Sequence, residues 1–450
     1  MIYKDQVLVV EPTGIEPVAL AARHGRARDL FGIWFSANAE IATWMVGVFI
    51  AALFGADLRT AAFGIVLGNF VGFAILGVLA TVGPRYGVPQ MLASRLAFGK
   101  RGNVAPATLS FLAGVGWFAI NTIFGAYALQ TIAHISYGFA LGIMLVLQIA
   151  LAVYGYNLIG IFERACAVLL AAGFVLLGAV TLPHASWIPA QAPLQGFMFA
   201  AALAFAYAMG WVPCASDYSR YLPRDTNPRE IWWYSFLGCA LPCIAIEFLG
   251  AAAVSASHVN LRTSVPTEAI AQLLGSGIVA NLVLATVVLG TLTANCMNLY
   301  SGALAALVAF DVRVKRAFAA LGVGVIGGLL ALGGANPSET AEFYTNFLLL
   351  LSYWAAPWAG VVLVDAWQER GAVRDPLSVP AWRAGALAWI LGVLASVPFW
   401  NQAWFLGPFA RAFPQYGDLS YYIGLVVAAA AMAAMKPRRR APVMEGSKYA

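Results

Sequence analysis

The sequence predicts an all-α polytopic membrane protein of twelve transmembrane helices, and three observations predict it: charge is scarce, apolar segments of bilayer length recur along nearly the whole chain, and basic residues alternate between successive connecting loops. Of the 450 residues, 61% are hydrophobic and only 10% charged, and the mean hydropathy is +0.79. One soluble core cannot enclose that much apolar surface, so lipid must act as the solvent. Each crossing needs roughly 20 apolar residues. Segments of that length fall near 30-54, 60-82, 104-132, 136-155, 160-182, 195-214, 232-255, 277-302, 317-333, 343-364, 382-400 and 420-435. Short clusters of Arg, Asp, Pro and Gly separate them and leave no room for a sizeable soluble domain.

The stretch from Met1 to Asp29 is polar, carries Glu11, Glu16, Arg23, Arg26 and Arg28, and lacks the apolar core of a cleavable signal. It reads as a cytoplasmic tail over 1-29, matched by a basic tail over 436-450. Lys and Arg counted loop by loop set the orientation. One side holds Lys4, Arg23, Arg26, Arg28, Arg85, Arg95, Lys100, Arg101, Arg164, Arg220, Arg224 and Arg229. It also takes Arg313, Lys315, Arg316, Arg370, Arg374, Arg383 and the tail from Lys436 to Lys448. The other side holds only Arg59, Arg262 and Arg411. Both termini are therefore expected to face the cytoplasm, from a cell (inner) membrane. The cations are spread over many short loops rather than gathered on one face, so no nucleic-acid partner is expected. All five cysteines (Cys166, Cys214, Cys239, Cys243 and Cys296) fall in or beside apolar spans without paired metal spacing, and read as small packing residues.

Secondary transporters are often built from two inverted repeats, with binding sites where one helix of each repeat is interrupted near the bilayer midplane. That layout puts repeat one at about 30-182, repeat two at about 195-364 and two extra helices at about 382-435, within a transporter domain filling 30-435. Span one contains the small and polar run Ser36-Ala37-Asn38-Ala39-Glu40. Span six contains Gly210-Trp211-Val212-Pro213, where proline removes a backbone donor. If five spans make a repeat, the two interruptions are equivalent. Pro213 alone reads as a kink or helix end, whereas a carboxylate and an amide inside one membrane span are costly unless they face protein or water.

Two further clusters suit a flat ligand. Trp117 and Asn121 lie four apart on one face of span three, beside Gly114 and Gly116. In span eight, Thr291, Asn295 and Asn298 share a face, with Thr293 nearby; asparagine offers both donors and an acceptor, as the edge of a heterocycle requires. The plainer role for such groups is helix-to-helix hydrogen bonding, worth about 0.6 kcal/mol each. Their occurrence together with the interrupted spans favours a site.

The sequence resembles the nucleobase:cation symporters, the family of cytosine, purine, uracil, allantoin, thiamine and hydantoin permeases. The likeness runs along nearly the whole chain and rests on the run from Leu30 to Asn38, Gly87-Val88-Pro89-Gln90-Met91 through Ser94-Arg95 to Phe98-Gly99, Gly116-Trp117-Phe118, the run from Ser216 to Pro223, and Asn298-Leu299-Tyr300-Ser301. It is closest to the purine-cytosine permease branch. The resemblance implies a site between spans one, three, six and eight, with the base stacked on Trp117, near Asn38 and Asn121, and hydrogen-bonded by Asn295 or Asn298. It also implies a second aromatic in span six, nine residues before the aspartate matching Asp217. That position is Ala208, which leaves Tyr207 or Trp211 for the role.

Sodium-dependent members of the family bind their ion through span-one carbonyls, here around Ser36 and Ala37, and through span eight, here Gly290 and a hydroxyl pair. The matching pair reads Thr293-Ala294, one hydroxyl short. The coupling ion is H+ or Na+, with no other cofactor expected, and the missing hydroxyl favours the proton. Glu40 and Glu247 are the intramembrane carboxylates that would carry it. Asp217, beside Arg220 and Arg224, reads as a structural or gating ion pair.

The function expected is therefore secondary active import of a nucleobase or related planar heterocycle by alternating access. An amino-acid or amine carrier of the same architecture would need a charged partner at the interrupted helices. A membrane-embedded enzyme is not expected, because His24, His134, His184 and His258 form no metal or base constellation. A channel lacks any repeated filter-like sequence.

Overall fold

The computed structural model describes residues 6–189, 192–256, 266–275, 277–312, 314–333, 337–369, 374–402 and 404–435. The tail expected over 436-450, and Lys4, Arg262, Arg313, Arg370 and His258, lie outside the described residues. Among those described, all regular structure is helical apart from an isolated bridge between Asn401 and Leu406. Eight helices are long and apolar enough to cross a bilayer, the bent pair Asp29–Asn38 and Ile41–Ala52 makes a further span, and three shorter apolar helices cover Arg316–Leu332, Ala384–Phe399 and Ser420–Ala434. Each expected span coincides with one of these segments.

The two halves of span one meet at 54°. At the break Glu40 is fully extended, with φ −140° and ψ 172°, so the helical ladder stops and restarts. The interruption expected in span six is milder. Pro193–Trp211 passes through a 3-10 turn at Val212–Cys214 into Ala215–Ser219, and the whole counts as one crossing. Proline here tightens a helix that continues, because its fixed φ suits the first turn of the short 3-10 segment. The two repeats are thus unequal: among the described residues only span one is broken by more than 40°.

Spans three (Val104–Ala133) and eight (Ile278–Phe310) pack against each other. Around them the contacts fall into matched sets. Span two (Leu58–Ala80) packs on span six as span seven (Pro228–Ala256) packs on both halves of span one. Span four (Tyr137–Tyr154) packs on span eight as span nine (Arg316–Leu332) packs on span three. Span five (Tyr156–Thr181) meets spans one and eight as span ten (Pro337–Gln368) meets spans six and three. This is the pairing that two inverted five-span repeats produce. Spans eleven (Ala384–Ser396) and twelve (Ser420–Ala434) pack on each other and on span ten.

Local signals set several helix ends. Asp57 caps span two, its Oδ1 accepting the amides of Arg59 at 2.8 Å and Thr60 at 3.0 Å. Gly155, at φ +93°, turns the chain from span four directly into span five, a backbone region that favours glycine. The closest helix approach joins the second half of span one to span seven. A Cβ on Gly47 would run into the carbonyl of Glu247, and one on Gly250 into the carbonyl of Trp44. Small residues that let backbones touch are how membrane helices gain packing energy without a hydrophobic drive.

Residues 6–28, within the stretch expected to be a polar tail, are ordered against the helices. They fold back beneath the bundle: Val18 N donates to the Gly87 carbonyl at 2.9 Å, His24 N to the Tyr221 carbonyl at 2.6 Å, and Glu11 and Val18 are buried.

Gly47→Leu is expected to destabilise the detergent-solubilised protein by about 1 to 3 kcal/mol or more through overpacking. Gly142→Leu, at a position where a Cβ meets nothing within 4 Å, should leave the melting temperature near wild type. Thermal unfolding scans on the two variants check the contrast.

Candidate functional site

The break in span one exposes backbone carbonyls that neighbouring side chains collect. Thr43 Oγ1 donates to the Asn38 carbonyl at 2.6 Å. Thr293 Oγ1, on span eight, lies 2.8 Å from the Gly290 carbonyl and 3.1 Å from that of Ser36. A Cβ on Gly290 would sit 2.7 Å from the Ala39 carbonyl and 3.2 Å from Glu40 Cα, so only glycine lets span eight touch the break there. Ser36, Gly290 and Thr293, three of the residues expected to couple the cation, are therefore brought together at the break, with Ala37 buried next to Ser36 in the chain. Ala294 is buried beside them and adds no hydroxyl.

On the other side of the break, Glu40 is buried and accepts the Tyr207 hydroxyl at 3.1 Å; that hydroxyl also lies 2.7 Å from Thr43 Oγ1. The Tyr207 ring stands edge-on to Trp117, centroids 5.6 Å apart at 79°. Tyr344 at 5.8 Å and Phe347 at 5.4 Å, both from span ten, meet the same indole edge-to-face. Trp117 thus lies in an aromatic box rather than in a parallel sandwich. Gly210 adds to it: a Cβ there would be 3.0 Å from the indole nitrogen. The buried side chains of Glu40 and Asn121 lie against each other, and Glu40 Oε2 and both polar atoms of Asn121 make no hydrogen bond of close geometry. Buried polar atoms are nearly always well paired, so a loosely paired carboxyl and amide beside the aromatic box are free to turn to a ligand.

Several expected roles change. Trp211 packs edge-to-face on Trp34, 5.8 Å away at 78°, and does not pair with Trp117. Asn38 donates to the Trp34 carbonyl at 2.8 Å and accepts the Cys243 thiol at 3.2 Å, so its amide ties span one to span seven instead of meeting a ligand. Asn295 gives its Nδ2 to the Phe118 carbonyl and Thr122 Oγ1, each at 3.0 Å, which joins spans three and eight. Asn298 leans on it through a 3.1 Å bond to Asn295 Oδ1. Glu247 lies apart from the cation group: its Oε2 accepts Asn69 Nδ2 at 2.7 Å, between spans seven and two. Cys243 and Cys296 are hydrogen-bond donors and not mere packing, because each sulfur has an oxygen partner.

Sequence reading missed Glu163 altogether. It is buried on span five, hydrogen-bonded with the Ser36 hydroxyl and with the Cys296 thiol at 3.1 Å. The expected span began at residue 160 with Arg164 counted as a loop cation, whereas the helix starts at Tyr156 and carries Glu163 two turns into the bundle. Tyr344 and Phe347 were missed because nothing in an apolar run distinguishes an aromatic that faces a site.

The ion pair expected between Asp217 and Arg220 is replaced by two separate devices. Asp217 Oδ1 accepts the Gln90 amide at 2.8 Å and so caps the short helix Gln90–Ala93 from another element. Arg220 pairs instead with Glu11 of the N-terminal segment, Nη2 to Oε1 at 3.1 Å, with both side chains fully buried. Glu11 Oε1 also accepts the hydroxyls of Tyr221 and, at 3.1 Å, Tyr300. Glu11 Oε2 accepts the Tyr156 amide at 3.0 Å and lies 3.4 Å from Arg316 Nε. Arg316 in turn donates to the carbonyls of Ala152 and Val153, each at 2.9 Å. One carboxylate therefore fastens the ends of spans four, five, six, eight and nine.

A discontinuous membrane helix, an aromatic box and buried carboxylates meeting between two sets of helices define a secondary carrier rather than an enzyme. The chain belongs to the family of permeases for cytosine/purines, uracil, thiamine and allantoin, whose model matches residues 17–424. It is 30% identical to a Bacillus subtilis protein assigned as a purine-cytosine permease, over 95% of this chain and 96% of the relative. It is 27% identical to the purine-cytosine permease of Emericella nidulans, over 96% of this chain and 89% of that one. The fold is similar to that of a nucleobase-cation-symport-1 family transporter in a closed conformation with bromovinylhydantoin bound: TM-score 0.74, 20% identity, covering 94% of this chain and 95% of that one. The same transporter facing inward gives 0.70 at 20% identity, covering 95% and 93%.

Glu11→Gln should weaken the clasp on the side of the N-terminal segment, since breaking a buried ion pair costs about 3 to 5 kcal/mol. Cys214, the one half-buried cysteine among four buried ones, lies at the end of span six. It is expected to react faster with a maleimide in this variant than in the wild type; equal rates would show that the clasp does not close that side.

Proposed function

We propose that the protein imports a neutral planar heterocycle of the nucleobase type across the cell membrane, coupled to a proton gradient, with both termini in the cytoplasm. The observation that carries this reading is the meeting of Trp117, ringed edge-on by Tyr207, Tyr344 and Phe347, with the loosely paired polar atoms of Glu40 and Asn121. A ring stacks on the indole while its edge N–H and C=O groups satisfy those atoms and Asn298. Base-on-aromatic stacking is worth about 1 to 3 kcal/mol per base. Glu40 therefore moves from the coupling role to the substrate side.

The proton reading is supported by the groups at the break. Ala294 offers no second hydroxyl, and the Thr293 hydroxyl already faces carbonyls. A hard cation seeks several oxygen ligands. The carboxylate of Glu40 beside an aromatic box also favours a second reading, an amine carrier, since cations sit well over aromatic faces. Uptake competition by cytosine, adenine, hypoxanthine and uracil against simple alkylamines separates the two.

Trp117→Ala is expected to lower substrate affinity about tenfold to a hundredfold, the equivalent of the lost stacking, at normal membrane expression; unchanged affinity would remove Trp117 from the site. Asn298→Ala should weaken binding of particular bases, whereas Asn295→Ala should reduce thermal stability for all substrates alike. In proteoliposomes, accumulation driven by an imposed pH gradient without sodium is expected. Accumulation driven by sodium alone at constant pH would sink the proton reading.

A further inference from the structure

We propose that Glu163 is the residue that carries the coupling proton, a role that rests on the proton reading above. Its carboxyl is fully buried, and among the described residues it forms no ion pair, so its charge has no counter-ion in the bundle. An ionised carboxylate held that way costs several kcal/mol. It is therefore a group that a proton must accompany for part of the transport cycle.

The hydrogen-bond set around Glu163 is built to serve both protonation states. Ser36 has one hydroxyl proton and two classes of acceptor: the carboxyl of Glu163, and the carbonyls of Gly32 at 3.0 Å and Ile33 at 3.3 Å. The Cys296 thiol likewise has one proton and two acceptors, Glu163 Oε1 at 3.1 Å and the Thr293 carbonyl at 3.0 Å. With Glu163 ionised, Ser36 and Cys296 both donate to it. With Glu163 protonated, its Oε2–H donates to Ser36 Oγ, Ser36 turns to the Gly32 carbonyl, and Cys296 turns to Thr293. Neither state leaves a buried donor unpaired, and only one proton enters or leaves. A sodium ion in the same place would find a thiol where it needs oxygen, and sulfur suits softer metals.

The location gives this switch a lever. Ser36 lies in the last turn of the first half of span one, where the polar run at the break begins, and Cys296 is one turn beyond Thr293, whose hydroxyl reaches the Ser36 carbonyl. Protonation of Glu163 thus changes which partners hold span five to span one and to span eight. The ionisable groups around it are few. Cys296 faces it from span eight and Cys166 follows it by one turn on span five. Glu40 lies across the break, and Cys239 and Cys243 sit on span seven beside Asn38. Span four carries no ionisable residue between its terminal tyrosines.

Full-length wild type and Glu163→Gln, reconstituted in proteoliposomes, are compared for labelled cytosine and adenine in two assays: accumulation under a one-unit pH gradient, acid outside, and exchange of internal for external substrate with no gradient. Wild type should accumulate substrate about tenfold, the limit for one proton per substrate. Glu163→Gln should reach a ratio near one yet still exchange. A mutant that accumulates like wild type overturns the role of Glu163 alone. A mutant that is folded but exchanges nothing overturns it too, by assigning Glu163 to binding. A wild type driven by sodium and not by pH overturns both this inference and the proton reading. Should Glu163→Gln fail to fold, Cys296→Val provides the test. It removes one of the two donors to the ionised carboxylate, so the pH of half-maximal uptake should move upward, and an unmoved profile overturns the proposal.

Discussion

The break in span one is the constraint on which the rest of the bundle depends. In lipid every backbone polar group must be satisfied within the protein, and a helix that stops at Ala39 and restarts at Ile41 releases several at once. The neighbouring elements are arranged around that debt. Thr43 takes the Asn38 carbonyl, Thr293 reaches the Ser36 carbonyl, and Asn38 turns its own amide back to Trp34 while Cys243 holds its oxygen. Gly290 lets span eight approach closely enough to take part, and Gly47 and Gly250 press span seven against the second half of span one. Beside the aromatic box this satisfaction is loose, with Glu40 and Asn121 left mainly to each other.

A second, independent restraint lies at the side holding the N-terminal segment. Glu11 is the only acid facing Arg220 and Arg316 at ion-pairing distance among the described residues, and the two arginines come from the ends of two different spans of repeat two, six and nine. The tyrosine hydroxyls of Tyr221 and Tyr300 complete its shell. Such a carboxylate is held by charge-assisted bonds in a dry setting, so its release must be concerted. Bound in this way, the N-terminal segment ties together the ends of spans four, five, six, eight and nine.

The fold was largely legible in the sequence, because the length of apolar runs and the loop cations respond directly to bilayer thickness and orientation. Trp117, Asn121 and the Ser36 to Glu40 run stood out for a related reason: polar or bulky groups amid small apolar ones are costly without a purpose. What escaped reading depended on tertiary partners. Glu163 falls inside the expected span 160-182 but next to Arg164, which counts as a loop cation, so the sequence does not separate a deeply buried acid from one at the helix end. Asn38 and Asn295 looked like ligand donors because an amide's partner is invisible in one dimension, and both spend their amides on backbone carbonyls. Arg220 was paired with the nearest acid in sequence, Asp217, when its partner lay more than two hundred residues away at Glu11.

Among the buried acids within the spans, Glu247, Glu40 and Glu163 divide the labour according to their company. Glu247 accepts an amide from Asn69, between spans seven and two and behind the close contact of Gly47. Glu40 shares a tyrosine hydroxyl with Thr43 and has its other oxygen only loosely paired, beside Asn121, the disposition of a group that meets a ligand's N–H. Glu163 has both oxygens engaged by donors that each possess an alternative acceptor, the disposition of a group that changes its proton count without breaking its surroundings. Glu40 and Glu163 lie on opposite sides of one helix break. Any movement of the half-helix ending at Asn38 alters both environments together, which is the physical condition for binding at one to be felt at the other.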